Sequence, residues 1–271
     1  MIANKIHGWI DVDKIIWHNL LLNPAAIRII EANQDKIDCM DWKWLSLNSA
    51  AIDLVEANQD KITWAYVSKN PDMIHLLKAN PDKINWTYLS MNPDAIHLLE
   101  VNPDKINWTY LSKNLAAIHL LEANPEKIDW DWLSTNPAAI HLLETNPDKI
   151  NWNLLSSNPA AIHLLETNPD KIVWKYLSYN PAAIHLLEAN QDKLDWDKLS
   201  KNPAAIHLLE TNQDKINWHH LSCNPAIITY DYEHMKHLRS QLHCELIAYL
   251  HQPRFIEYWL NAGNDIEDYL M

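Results

Sequence analysis

Tryptophan recurs at positions 42, 64, 86, 108, 130, 152, 174, 196 and 218, each 22 residues after the last. A fixed period of this length restricts the chain to stacked supersecondary units, none of which can bury its own apolar face alone. One further unit precedes the series. Trp17 lies 25 residues before Trp42, and the three extra residues fall around Cys39, Met40 and Asp41. The unit reads N-P-x-A-I-H-L-L-E-x-N-P-D-K-I-N-W-x-x-L-S-x.

Two helices fit each copy. Asn followed by Pro, as at Asn70-Pro71, Asn92-Pro93 and Asn136-Pro137, is an N-cap followed by the helical position that accepts proline. Ser49 and Leu115 stand where that proline is expected, which bears only on where those helices start. The segment A-I-H-L-L-E carries the helix to a second Asn. There N-P-D-K (80–83, 102–105, 146–149) suits a type I turn, with glutamine for proline at Gln34, Gln59, Gln191 and Gln213. From Asp41 onward the residue before each Trp is an N-cap type, except Val173, and this predicts a second short helix, W-x-x-L-S-x. A leucine-rich repeat can share the period but needs an alternating strand, whereas both segments here are capped and rich in Ala, Leu and Glu.

The expected fold is therefore all-α: an α-solenoid of about ten 22-residue two-helix repeats over 17–224. An N-terminal cap occupies 1–16 and a helical C-terminal cap 225–271. In that cap Met235, Leu238, Leu242, Leu246 and Leu250 line one face of a longer helix ended by Pro253. A short final helix follows, with Gly263 as its stop. At roughly 8–10 Å per packed helix, ten units predict a rod or superhelix about 80–100 Å long.

Composition removes several functions. Gly8 and Gly263 are the only glycines, so no Gly-rich phosphate loop, nucleophile elbow or dinucleotide fingerprint can form. A net charge of −13 without a basic block argues against nucleic acid. No apolar run reaches a membrane span, and the N-terminus lacks a secretory signal, so a cytoplasmic protein without a membrane partner is expected. Cys39, Cys223 and Cys244 are scattered and read as reduced thiols, not a disulfide framework or zinc site. Between 42 and 224 no asymmetric set of catalytic residues stands out from the repetition. No catalytic residue and no cofactor is expected.

Two rows remain as candidates for partner binding. His75, His97, His119, His141, His163, His185 and His207 share one slot, held by Arg28 and Asp53 in the two N-terminal units. At about 100° per residue, Ala139, Ile140, Leu142 and Leu143 form an apolar arc. His141 lies opposite it, with Glu144 three residues on and within reach. A zinc site needs three or four ligands about 2 Å from the metal, and one His and one Glu per unit fall short, so no metal residue is assigned. Histidines titrate near pH 6.5, so mild acid could charge the row. The second row is aromatic, two residues after each Trp: Tyr66, Tyr88, Tyr110, Trp132 and Tyr176. Tyr179 joins it from the most varied position, five after the Trp. The Asp-Lys pairs of the turns are expected to close the turn and answer acids of adjacent units.

The unit NPxAIxLLExNPDKINWxxLS, with a tail beginning YDYEHMK and containing ELIAYLHQPRFIEYWL, resembles repeat proteins of giant DNA viruses of the mimivirus type. The resemblance covers the chain from about Trp17 onward. It implies a viral protein in the cytoplasm of an infected host or in the particle, and it transfers no catalytic residues. The expected function is a repeat scaffold that mediates protein–protein interaction with a host or viral partner. The alternative is a structural, self-assembling component of a viral particle or factory. A metal-binding or pH-responsive surface is a third reading.

Overall fold

The computed structural model describes residues 4–230 and, beyond them, Lys236, Ser240 and Gln241. The chain forms two compact units, His7–Ile228 and a second made of Met1–Ile6 with Thr229–Met271. Strand β1 (Asn4–Ile6) pairs with strand β2 (Ile228–Tyr230), a small departure from the all-α expectation. The helices expected around Met235–Leu250 and before Gly263 lie outside the described residues.

Within His7–Ile228 each copy folds as short pieces in a fixed order. The copy opening at Asn136 has a 3-10 turn (Pro137–Ala139), an α-helix (Ile140–Thr145), a second 3-10 turn (Pro147–Lys149) and an α-helix (Trp152–Leu155). Helices of four to six residues cannot hold themselves in water, so caps and packing must hold them. Asn136 Oδ1 accepts the Ala138 N–H at 3.0 Å, and the same bond forms at Asn48 and Asn114, where no proline follows. Asn146 Nδ2 closes the first helix on the Leu142 carbonyl. Before the Trp helix, Asn85, Asn107, Asp129, Asn151, Asp195 and Asn217 accept the N–H three residues on. Asp41, Thr63 and Val173 make no such side-chain bond.

The core is leucine and alanine. Ala139, Leu143 and Leu155 are fully buried, as are their counterparts in most units. The tryptophans that open the second helices, read from the sequence as core together with Ile and Leu, are half-buried apart from Trp42. The lysine of the next turn covers most of these rings instead, as Lys149 does Trp130 at 4.3 Å and Lys171 does Trp152 at 4.4 Å. Most turn lysines therefore serve as indole covers, and the expectation that they answer acids is corrected.

A polar layer joins the units. Asn136 Nδ2 donates to the Asn114 carbonyl, which opens the preceding copy, and to the Ser112 carbonyl just before it, both at 3.1 Å. Ser134 Oγ donates to the Trp130 carbonyl and accepts the Asn151 N–H of the next copy at 3.0 Å. Ser134 and Asn136 are buried, and their counterparts repeat these bonds from unit to unit. A buried polar atom is tolerated only when bonded, so the ladder fixes each unit's position on its neighbour.

The ladders do not stop at the ends of the repeat array. Asn23 Nδ2 donates to the Asn224 carbonyl at 2.9 Å, and the Ile16 N–H donates to Ser222 Oγ at 2.9 Å. Lys14 lies 5.1 Å over the Trp218 ring. These are the bonds that join consecutive units, so the Trp17 unit follows the Trp218 unit in space. Within His7–Ile228 the row closes on itself, and the expected open rod is corrected to a ring. The tenth unit is composite. Asn224 opens it with the turn Pro225–Ile227, and the run DVDKIIW from Asp11 to Trp17 supplies the half that NPDKINW supplies elsewhere. Residues 7–16 are thus repeat, not a separate N-terminal cap.

Ten units that return to their start turn the chain by about 36° each.

Candidate functional site

The histidine row is exposed, as its place opposite the apolar arc predicts, but its partner differs. His141 Nε2 meets Glu122 of the preceding unit at 3.0 Å, while Glu144 pairs with His163 of the next at 2.8 Å. His75, His119, His185 and His207 pair backward in the same way, with Glu56, Glu100, Glu166 and Glu188. The exception is His97, because Lys78 occupies the position of the glutamate. The expected pairing within one helix is therefore corrected to a pairing across units. These side chains are about half exposed, so each pair adds little stability.

The structure divides the aromatic row in two. Trp44, Tyr66, Tyr88 and Tyr110 follow ring on ring, with centroids 6.5, 6.0 and 5.9 Å apart. Leu154 interrupts the row. Around it Trp132, Tyr176 and Tyr179, 36–40% exposed, line a depression of about 460 Å³ that crosses several units. Three lysines missing from the sequence candidates share this wall: Lys113, Lys175 and Lys198. Lys113 sits 4.1 Å over the Trp132 ring, and burial first, then Lys69, push its ammonium pKa down. The signal was present in the sequence, since Lys113, Thr135, Ser157 and Tyr179 all stand five residues after a Trp. What it lacked was the side of the ring that those positions share with their neighbours. This wall is an apolar and cationic surface in a chain of net charge −13.

The third location is the break in period. Every other junction gives the N–H before the Trp to a serine of the preceding unit, but the Trp17 unit carries Leu21 in that place. The inserted residues supply a substitute: the Asp41 N–H bonds Asp38 Oδ1 at 3.2 Å. The Asp41 carboxylate has no exposure and bonds His18 Nδ1 and, at 3.1 Å, the Asp38 N–H. Cys39 is exposed beside it, while burial raises the pKa of the Cys223 thiol.

No helix among the described residues is long and apolar enough to cross a membrane. Comparison with known proteins gives one family. The model described as periplasmic copper-binding protein (NosD) matches residues 45–220. No curated protein and no solved structure matches the chain. A copper centre needs several convergent nitrogen, oxygen or sulfur donors. Over 45–220 the histidine row offers one imidazole nitrogen and one carboxylate oxygen per pair. Among the described residues, the three-donor cluster of His18, Asp38 and Asp41 lies outside that stretch. The matched residues do not fit a copper site of their own. The match nonetheless spans well over half of the 271 residues, and the chain belongs to the NosD family.

Proposed function

We propose that the chain is a repeat scaffold whose lysine-aromatic wall binds an acidic, extended segment of a protein partner. The observation that carries this is the grouping of Trp132, Tyr176 and Tyr179 with Lys113, Lys175 and Lys198 around one depression. Aromatic side chains supply contact area at low entropic cost, and lysines select carboxylates. A carboxylate against Lys113 would also relieve the half-buried ammonium there. The ring supports such a role because a closed hydrogen-bonded ladder holds the wall rigid, which lowers the ordering cost of binding.

The resemblance to giant-virus repeat proteins suggests that the partner is a host or viral protein in infected cytoplasm or in the particle. The words periplasmic and copper-binding describe the proteins behind the NosD name. Neither is assigned to this chain.

Fluorescence anisotropy tests the reading directly. A labelled peptide alternating Asp or Glu with apolar residues should bind, and the same peptide with Lys for each acid should not. Trp132→Ala with Tyr176→Ala should weaken binding at least tenfold, and salt should weaken it further. Equal binding of the two peptides, or no effect of the double substitution, overturns it. In pull-downs, recovery of the chain alone would favour self-assembly.

A further inference from the structure

We infer that His18, Asp38 and Asp41 form a site for one divalent metal ion of the zinc class. One donor atom from each residue lies within 4.8 Å of the other two. An ion about 2.0–2.2 Å from each ligand holds its donors roughly 3–4.3 Å apart, so the three atoms could take up one ion with modest side-chain adjustments.

The structural duty of the insertion does not account for this cluster. Replacing the missing serine bond takes one acceptor, Asp38 Oδ1, for the Asp41 N–H. It does not take a carboxylate with no exposure at Asp41. At two other junctions a neutral amide fills the same inter-unit slot: Asn151 donates to Asp131 at 2.8 Å and Asn217 to Asp197 at 2.9 Å, while Asp129 and Asp195 in that slot accept an N–H of their own helix. Here an imidazole faces a buried carboxylate, and the three extra residues bring in a second carboxylate. A buried carboxylate is costly unless its charge is met, and a single imidazole and one N–H meet it poorly. A divalent ion would meet it fully.

The donor set chooses the class of ion. One imidazole nitrogen with two carboxylates suits zinc, cobalt, nickel or cupric ions, whereas magnesium and calcium prefer oxygen alone. His18 is 55% exposed, so three protein ligands would leave the outer position to water. The site owes nothing to the histidine row or to the lysine-aromatic wall.

The test uses the tag-free chain after chelation and dialysis. Titration with cobalt(II) should develop a visible ligand-field band that saturates near one ion per chain and is displaced by zinc. Zinc should raise the melting temperature, and magnesium should not. His18→Gln, at an exposed position, should weaken cobalt affinity at least tenfold while leaving the far-ultraviolet circular dichroism unchanged. Asp38→Asn should do the same, and His163→Gln in the row should bind as the parent does. Saturation below half an ion per chain overturns the proposal, as does unchanged affinity in His18→Gln. If Asp38→Asn unfolds, His18→Gln alone decides.

Discussion

The junction around Asn136 and the junction that closes the ring use the same chemistry under different constraints. At the interior junction the peptide chain already holds the two units together. At the closing junction the Trp17 and Trp218 units lie 201 residues apart in sequence, and side chains hold them. The closing bonds are nearly as good: 2.9 Å for Ile16 to Ser222, against 3.0 Å for Asn151 to Ser134. The fit is slightly poorer elsewhere. Lys14 sits 5.1 Å from its indole where Lys149 sits 4.3 Å away, and the Trp9 and Trp17 indole N–H groups are buried without an acceptor. A ring thus closes because its last joint uses the same bonds as the interior joints, at nearly the same lengths.

Paired substitutions can break this comparison. The largest effect is expected at the asparagines. Asn136→Ala removes an N-cap, takes its donor from the buried Ser112 carbonyl and one of two donors from the Asn114 carbonyl, for about 2–4 kcal/mol in chemical denaturation. Asn23→Ala also removes an N-cap but takes only one of two donors from the Asn224 carbonyl, which keeps the Ile227 N–H, and should cost somewhat less. A neutral Asn23→Ala beside a costly Asn136→Ala would mean that the ring stands open in solution. Next come the serines: Ser134→Ala and Ser222→Ala should each cost about 1–3 kcal/mol and match one another, since each strips the acceptor from one inter-unit N–H. Leu21→Ser should give no comparable gain, because Asp38 already accepts the Asp41 N–H. Smaller still, Lys149→Met should cost about 0.5–1 kcal/mol in thermal melts, and Lys14→Met less, given its longer approach. The smallest change is His163→Ala, within about 0.5 kcal/mol, because the His163–Glu144 pair is solvent-exposed.

Much of this was legible in the residues. Asn-Pro announced the first turn, the Asn or Asp before Trp announced most second-helix caps, and the helical wheel put His141 outside. The wheel failed for Glu144 because an i,i+3 neighbour on one helix competes with a histidine one unit away, and a single repeat does not reveal the distance between units. It misplaced the tryptophans for a related reason. Spacing marks Trp152 as inward, but only the next turn shows that Lys171 lies on its face. Asn136 was legible as a cap, but neither it nor Ser134 betrays that its remaining polar atoms will find carbonyl and amide groups of the adjoining copies. Of the site candidates, Trp132, Tyr176 and Tyr179 come together, while Tyr66, Tyr88 and Tyr110 are occupied with one another.

By itself the sequence determined the repeat, its helical character, the number of units and the absence of glycine-dependent chemistry. Each of these follows from local propensity and period, which act over a few residues. The tertiary structure decided that the row is a ring, that residues 7–16 complete its tenth unit, and which rows share a surface. Those outcomes depend on the angle between units. That angle is held by the asparagine, serine and lysine contacts that join each unit to the next, repeated around the ring.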